Sequence, residues 1–249
     1  MKITQLETFL VKPRWLFLKI HTDEGLVGLG EPILEGRAKT VATAIEEMAP
    51  SLIGKDPTRV VHHWQSLYKH AFYRGGPILT SALSGIDHAL WDLAGKAAGL
   101  PVYKLLGGPL RDRIKVYKGI GGGTLEEAVQ RAKDAVAQGF LALKTGPSGG
   151  RPARLIETPG YVDRVVERFA AIREAVGKEI DIAIDFHGAV SPQTAGLLIK
   201  ALEPYQPLFI EEPVQCQYVD VLADLARKTH IPIATGERIF TKWGFREIL

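Results

Sequence analysis

Apolar and polar residues repeat with two different periods in the first hundred residues of the chain. Residues 17–22 alternate as a β-strand does, and the turn residues Asp23-Glu24-Gly25 separate them from a second alternating run, which predicts a β-hairpin. Residues 37–49 and 77–98 instead have the three-to-four-residue spacing of helices. Strands followed by helices favour a compact α+β domain, which we place at residues 1–112.

From residue 113 onwards, strand patterns and helix patterns follow each other in regular alternation. Strands are predicted at 114–120, 140–144, 180–186, 207–210 and 231–235, and helices at 124–138, 161–176, 191–202 and 218–228. Thr124 and Ser191 are the expected N-caps of two of these helices. Each connection is long enough for parallel pairing of successive strands, which is typical of an α/β barrel or a doubly wound sheet.

Composition and charge narrow the class of protein. Of 249 residues, 46% are hydrophobic and 24% are charged, as in ordinary globular proteins that bury a core. The single cysteine, Cys216, excludes a disulfide framework and indicates a cytoplasmic protein. No apolar run approaches the length of a membrane span. The net charge of +3 is small and its basic residues are dispersed, so we expect neither nucleic acid nor membrane as a partner.

Three acidic residues recur at one fixed interval among the strand ends. Asp185, Glu211 and Glu237 are separated by 211 − 185 = 26 and 237 − 211 = 26 residues, about one βα unit. Because the carboxyl ends of barrel strands converge on one mouth, we expect the three carboxylates to meet there and bind Mg²⁺. A single acidic residue at a strand end is more often a helix cap or a solvated loop residue, but three at equal spacing favour a metal site.

His187 lies two residues after Asp185. If the strand continues that far, both side chains point to the same face, and a histidine beside a metal site can transfer protons near neutral pH. The alternative is that His187 caps or hydrogen-bonds within a loop. Gly188 permits a sharp exit from the strand.

Several of these motifs resemble those of one known family. Asp185-Phe186-His187-Gly188, Phe209-Ile210-Glu211-Glu212-Pro213 and Gly236-Glu237-Arg238 resemble the three metal-ligand motifs of the enolase superfamily, in its mandelate racemase/muconate lactonizing enzyme branch. Phe72-Tyr73-Arg74-Gly75-Gly76-Pro77 and Ala89-Leu90-Trp91-Asp92 resemble the capping domain of that branch. The resemblance covers the whole chain and is strongest to the dehydratases that act on D-galactonate.

The resemblance implies a fold and an activity. The fold is an α+β capping domain followed by a (β/α)7β barrel, of which residues 113–249 would supply about five strands, leaving the barrel incomplete. Mg²⁺ would be held by Asp185, Glu211 and Glu237 and would bind the carboxylate of a sugar acid, D-galactonate being the expected substrate. His187 would protonate the departing 3-hydroxyl, so that a 2-keto-3-deoxy acid is formed.

Some expectations stay open at this point. The family's general base is a histidine on later barrel strands, so no residue here is assigned to it, and this chain alone is expected to be inactive, either as a fragment or as half of a multi-chain enzyme. Gluconate, arabinonate and fuconate are alternative substrates, and full-length relatives are expected to form homo-oligomers. Lys144-Thr145-Gly146 lacks the second lysine of a Lys-x-Lys base motif, and Lys144 is interpreted as a strand-end charge.

Overall fold

A computed structural model describes residues 1–70, 72–147 and 160–249. The chain forms two compact units, Met1–Asp112 and Arg113–Leu249, and each has a hydrophobic core of its own. Among the described residues, every helix is too short or too polar to cross a membrane.

The first unit contains a three-stranded antiparallel sheet. Its strands are β1 (Ile3–Val11), β2 (Trp15–Thr22) and β3 (Val27–Gly30), in that order. The β2–β3 hairpin turns at Gly25, whose φ of 81° is a conformation that favours glycine. This confirms the hairpin predicted from the alternating residues on either side of Asp23-Glu24-Gly25.

Helices cover one face of this sheet. The helices of this unit are α1 (Ala38–Met48), α2 (Val60–His70), α3 (Gly76–Ala98) and α4 (Val102–Leu105), with one 3₁₀ turn at Ala49–Ser51. Helices α1 and α3 contact the strands, whereas α2 and α4 contact α3. Helix α3 approaches β3 so closely that a Cβ atom at Gly30 would lie 2.0 Å from the carbonyl oxygen of Gly85. Glycine at position 30 therefore allows the backbones of strand and helix to touch.

The second unit is a parallel sheet with helical crossovers. In chain order it contains β4 (Lys118–Gly119), α5 (Leu125–Ala137), β5 (Ala142–Thr145), α6 (Tyr161–Val176), β6 (Asp181–Asp185), α7 (Pro192–Leu202), a 3₁₀ turn (Glu203–Tyr205), β7 (Ile210–Glu211), α8 (Val219–Arg227), β8 (Ile233–Ala234) and α9 (Thr241–Phe245). The strand order is β4-β5-β6-β7-β8, with every neighbouring pair parallel. The predicted alternation of strands and helices is confirmed.

The strands that differ from prediction do so because of their hydrogen bonds. The predicted strand at 114–120 shrinks to the two residues of β4, which pair with β5, and the N–H of Ile120 adds one hydrogen bond of 2.9 Å to the carbonyl of Lys144. The strand predicted at 207–210 moves to Ile210–Glu211, because the ladder with β6 continues to Glu211. Leu208 and Phe209 also form backbone hydrogen bonds with β6. This shift makes Glu211 a strand residue.

The predicted caps start two of the helices that flank the sheet. Oγ1 of Thr124 accepts a hydrogen bond of 3.2 Å from the N–H of Glu127, and Oγ of Ser191 accepts one of 3.2 Å from the N–H of Thr194. The Glu127 carboxylate in turn accepts a hydrogen bond from the N–H of Gly123, one residue before the cap. These bonds satisfy backbone donors at the first turns of α5 and α7.

Candidate metal centre

Asp185 and Glu211 occupy matching positions at the carboxyl ends of two adjacent strands. They are register partners in the parallel pairing of β6 with β7, so their side chains leave the sheet on the same face. Asp185 is buried, with 1% of its surface exposed, and Glu211 is half-buried. A buried carboxylate requires a positive partner or hydrogen-bond donors to remain ionised.

Glu237 reaches the same place by a different route. The register partner of Glu211 on β8 is Ala234, so Glu237 lies three residues farther along, in the turn after the strand. Equal spacing in sequence therefore does not mean equal position on the strands. Nevertheless, one carboxylate oxygen of Asp185, Glu211 and Glu237 can be chosen so that all three lie within 4.8 Å of one another.

The crowding of negative charge affects Glu237. Its partial burial raises its pKa, and the nearby charges of Glu212, Asp185 and Glu211 raise the pKa further, whereas His187 lowers it. A divalent cation among these oxygens would relieve this repulsion. Three carboxylates in one cluster match the hard oxygen ligands that Mg²⁺ prefers, so the residues present fit that ion.

His187 is held against Asp185 by a turn and not by strand alternation. Strand β6 ends at Asp185, and His187 has a φ of 51°, in the left-handed region. Its N–H donates a hydrogen bond of 2.9 Å to Oδ1 of Asp185, and its Nε2 lies 3.3 Å from Oδ2 of the same carboxylate. The expected proximity is present, but its predicted cause, a continued strand, is wrong.

Lys144 joins the cluster from β5. Its Nζ donates hydrogen bonds of 2.8 Å to Oδ2 of Asp185 and 2.7 Å to Oε2 of Glu211. The ammonium also lies 5.4 Å from the centre of the Tyr117 ring, within the range of a cation–π interaction. Although burial lowers the pKa of Lys144, the bonds to the two carboxylates outweigh burial and raise it above its ordinary value. Lys144 is therefore more than the strand-end charge that the sequence indicated, because it bonds to two of the three carboxylates.

Comparison with known proteins assigns the chain to a family. Residues 6–107 match the family described as mandelate racemase / muconate lactonizing enzyme, N-terminal domain, and residues 127–249 match the family described as enolase C-terminal domain-like. A mandelate racemase/muconate lactonizing enzyme-like protein from Rubrobacter xylanophilus has 33% sequence identity and a TM-score of 0.91, with 99% of this chain and 69% of that one covered. The chain belongs to the enolase superfamily.

Other members of the superfamily bear on activity. A D-galactonate dehydratase from Pectobacterium atrosepticum is 50% identical over all 249 residues, and the chain spans 65% of its length. The structure of an enolase from Pantoea ananatis, named as having bound D-gluconate and Mg, is 33% identical with a TM-score of 0.87, covering 99% of this chain and 68% of that one. An enolase-superfamily fold is thus confirmed for both units.

A second ion pair lies directly beside the carboxylate cluster of this superfamily member. Nε of Arg238 donates a hydrogen bond of 3.0 Å to Oε1 of Glu212, and its Nη2 lies 2.8 Å from Oε2. The Glu212 side chain is fully buried. The hydrogen bond with Glu212 raises the pKa of Arg238.

Lys144, Glu212 and Arg238 were not predicted to belong to this site, although the sequence contains a weak indication of each. Lys144 ends a predicted strand as the acidic residues do, but a lysine among three acids does not suggest a shared site until the strands are placed side by side. Glu212 and Arg238 are separated by 238 − 212 = 26 residues, the same interval as the carboxylates. Two residues of opposite charge that are separated by one βα repeat, and that follow adjacent strands, could have indicated an ion pair.

Proposed function

We propose that Asp185, Glu211 and Glu237 bind one Mg²⁺ ion. The observation that carries this proposal is the 4.8 Å limit that encloses one carboxylate oxygen from each residue. The three residues lie at or just after three successive strand ends, and two of them, Asp185 and Glu211, share the Lys144 ammonium as a partner. Mg²⁺ is commonly held by few carboxylates and keeps other positions for water or substrate.

We propose His187 as the general acid beside this ion. Its ring nitrogen lies 3.3 Å from the Asp185 carboxylate, while 65% of the side chain is exposed. The ring therefore remains accessible to a molecule that binds at the mouth of the sheet. An acid that has to reach a substrate hydroxyl needs both features.

The reaction that fits these groups is the dehydration of a sugar acid. Bound Mg²⁺ supplies a Lewis acid that polarises the substrate carboxylate and makes the C2 proton more acidic. A base removes the C2 proton, the C3–O bond breaks, and the His187 proton passes to the departing oxygen, which leaves as water. The resulting enol tautomerises to a 2-keto-3-deoxy acid. The resemblance assigns the base to later barrel strands, so no residue of this chain is assigned that role.

D-galactonate is the substrate that we propose first, because the 50% identical protein from P. atrosepticum is named for it. D-gluconate is the second candidate, since the P. ananatis structure is named as holding that sugar acid together with Mg. The two acids differ only in the configuration of one hydroxyl-bearing carbon, so contacts outside the carboxylate cluster would decide between them.

A hybrid enzyme tests the proposed reaction. Residues 1–249 replace the matching 65% of the P. atrosepticum enzyme, and formation of 2-keto-3-deoxy acid is measured with each sugar acid, with and without Mg²⁺. We expect turnover of D-galactonate only with Mg²⁺, and a loss of about 10²-fold or more in kcat for His187→Asn. His62→Asn, an exposed histidine in the first unit, is the matched control and should leave kcat unchanged.

Two results would contradict this assignment. Turnover that persists after Mg²⁺ is chelated would exclude the metal-dependent reaction, and full activity of His187→Asn would exclude that residue as the acid. Faster turnover of D-gluconate would support the second candidate. The chain of residues 1–249 by itself is expected to bind Mg²⁺ without turning over either acid.

A further inference from the structure

Three residues that each directly follow a proposed functional residue in the sequence contact one another, and we call them the contact layer. Gly188 follows His187, Glu212 follows Glu211, and Arg238 follows Glu237. These three contact one another, although they come from the ends of three different strands. Each proposed functional side chain is thus one peptide bond away from this layer.

The centre of the layer is the ion pair of Glu212 and Arg238. Nε of Arg238 donates a hydrogen bond of 3.0 Å to Oε1 of Glu212, and its Nη2 lies 2.8 Å from Oε2 as an ion-pair contact without hydrogen-bond geometry. A hydrogen bond between two charged groups is stronger than one between neutral groups, and the second contact adds charge attraction. The Glu212 side chain has no exposed surface, so loss of its partner would leave an uncompensated buried charge.

The backbone of Glu212 is held by hydrogen bonds to the residues that follow β6 and to β8. Glu212 has a φ of 43°, which is rare for a residue with a side chain, and it persists only where the surroundings hold it. Its carbonyl accepts a hydrogen bond of 2.8 Å from Gly188, and its N–H donates one of 2.9 Å to Ala234 on β8. The residue is therefore fixed to both neighbouring strand ends.

Gly188 leaves the space that Arg238 occupies. A Cβ atom at position 188 would lie 2.4 Å from Nη2 of Arg238, closer than real contacts allow. The φ of 60° at Gly188 likewise favours glycine. The turn that carries His187 and the guanidinium that pairs with Glu212 are thus packed against each other.

We propose that Glu212 and Arg238 are positioning residues that hold the Glu211 and Glu237 carboxylates at the separation one divalent cation requires. This inference rests on the proposed cation site. Glu237 needs such support because it lies in a turn beyond β8, where the sheet's hydrogen bonds no longer fix it. Side chains that orient metal ligands without binding the metal themselves typically contribute 10-fold to 100-fold to metal affinity.

Titration with Mn²⁺, followed by electron paramagnetic resonance of the free ion, tests this role in the 249-residue protein. Glu212→Gln keeps the shape of the side chain but removes its charge, and Arg238→Lys keeps the charge but removes the hydrogen bond from Nε to Oε1. We expect both variants to bind Mn²⁺ about 10-fold or more weakly than the unmodified chain.

Arg173→Lys is the matched control. Arg173 is another partly buried arginine of the second unit, but it donates to the backbone carbonyls of Gly177, Ile180, Tyr205 and Gln206, away from the carboxylates. We expect this change to lower the melting temperature and to leave Mn²⁺ affinity within about twofold. A general loss of stability is thereby separated from a loss of ligand positioning.

Each outcome decides one of the two proposals. If the unmodified chain binds no Mn²⁺, the cation site itself is wrong, and the positioning role is rejected with it. If the unmodified chain binds Mn²⁺ and Arg238→Lys binds it equally well, the site stands and the positioning role is overturned. Should Glu212→Gln fail to fold, as circular dichroism would reveal, Arg238→Lys decides alone, because it leaves no buried carboxylate without a cation.

Discussion

The Nζ atom of Lys144 lies 2.8 Å from Oδ2 of Asp185, the buried carboxylate at the centre of the proposed metal site. The same ammonium lies 2.7 Å from Oε2 of Glu211. It therefore occupies one carboxylate oxygen of each of two proposed metal ligands. Without that cation, Lys144 compensates part of the negative charge of the cluster and so holds the strand ends together.

In the Lys144→Met variant, the negative charge of the carboxylates should be compensated by a bound cation and no longer by the lysine ammonium. We expect Mn²⁺ affinity to rise several-fold, up to about 10-fold, which corresponds to about 1.4 kcal/mol, because the ion no longer competes with an ammonium. The melting temperature without metal should fall, since the carboxylates lose their partner. Isothermal titration calorimetry and thermal melts with and without Mn²⁺ measure both effects.

Lys115→Met is the control for this change. Lys115 forms an ion pair with Asp181, at the opposite end of strand β6, and it is largely exposed. Its replacement should alter neither Mn²⁺ affinity nor the gain in melting temperature on adding metal. Weaker Mn²⁺ binding by Lys144→Met would show instead that the lysine promotes cation binding and does not compete with the cation for the carboxylates.

Gly188→Ala should damage the second unit more than an ordinary turn substitution. The new methyl group would meet Nη2 of Arg238 at 2.4 Å, and the φ of 60° is unfavourable for alanine. We expect a loss of about 3 kcal/mol in the free energy of unfolding, from strain and overpacking together. Urea denaturation of the purified protein measures this loss.

Gly139→Ala separates the two causes. Gly139 has a φ of 91° but open space where a Cβ atom would lie, so only backbone strain is introduced. A loss of about 1 kcal/mol is expected there. Equal losses at both positions would mean that Arg238 moves away without cost, and the close packing of Gly188 against the Glu212–Arg238 pair would then have no energetic role.

The carboxylate cluster could be predicted because it follows from chain topology. Parallel βα units bring successive strand ends to one edge, so acidic residues one unit apart meet there. Asp185 and Glu211 fit this rule as register partners. Glu237 meets them only through the turn after β8, a detail that the interval of 26 residues does not contain.

The remaining contacts could not be predicted because they join residues that share no local pattern. Lys144 is 41 residues from Asp185 and 67 from Glu211, and only the pairing of three strands brings it to them. His187 reaches Asp185 through a left-handed backbone conformation that a non-glycine residue rarely adopts. Sequence periodicity indicates helices and strands, but it does not indicate single residues with unusual dihedral angles.

Asp87 in helix α3 should make the first unit less stable at neutral pH than its asparagine variant. Burial raises the pKa of Asp87 above its ordinary value of 3.8, and His88 lowers it only partly. The folded chain thus holds this proton more tightly than the unfolded chain does, so stability falls as pH rises through the raised pKa. Asp87→Asn removes this penalty.

We expect Asp87→Asn to raise the melting temperature by roughly 2 °C at pH 7. The gain should shrink as the pH is lowered to below 3.8, where the carboxyl becomes protonated in both states. Melts of the two proteins across this pH range provide the comparison. A gain that is independent of pH would mean that the ionisation of Asp87 is not its cause.

The most direct test of the metal centre is anomalous X-ray diffraction from crystals of the 249-residue protein soaked with Mn²⁺. The site described here predicts one strong anomalous peak among Asp185, Glu211 and Glu237, at about 2.0–2.3 Å from an oxygen of each. A peak elsewhere on the chain, or oxygens of the three residues that contact no ion at saturating Mn²⁺, would contradict it.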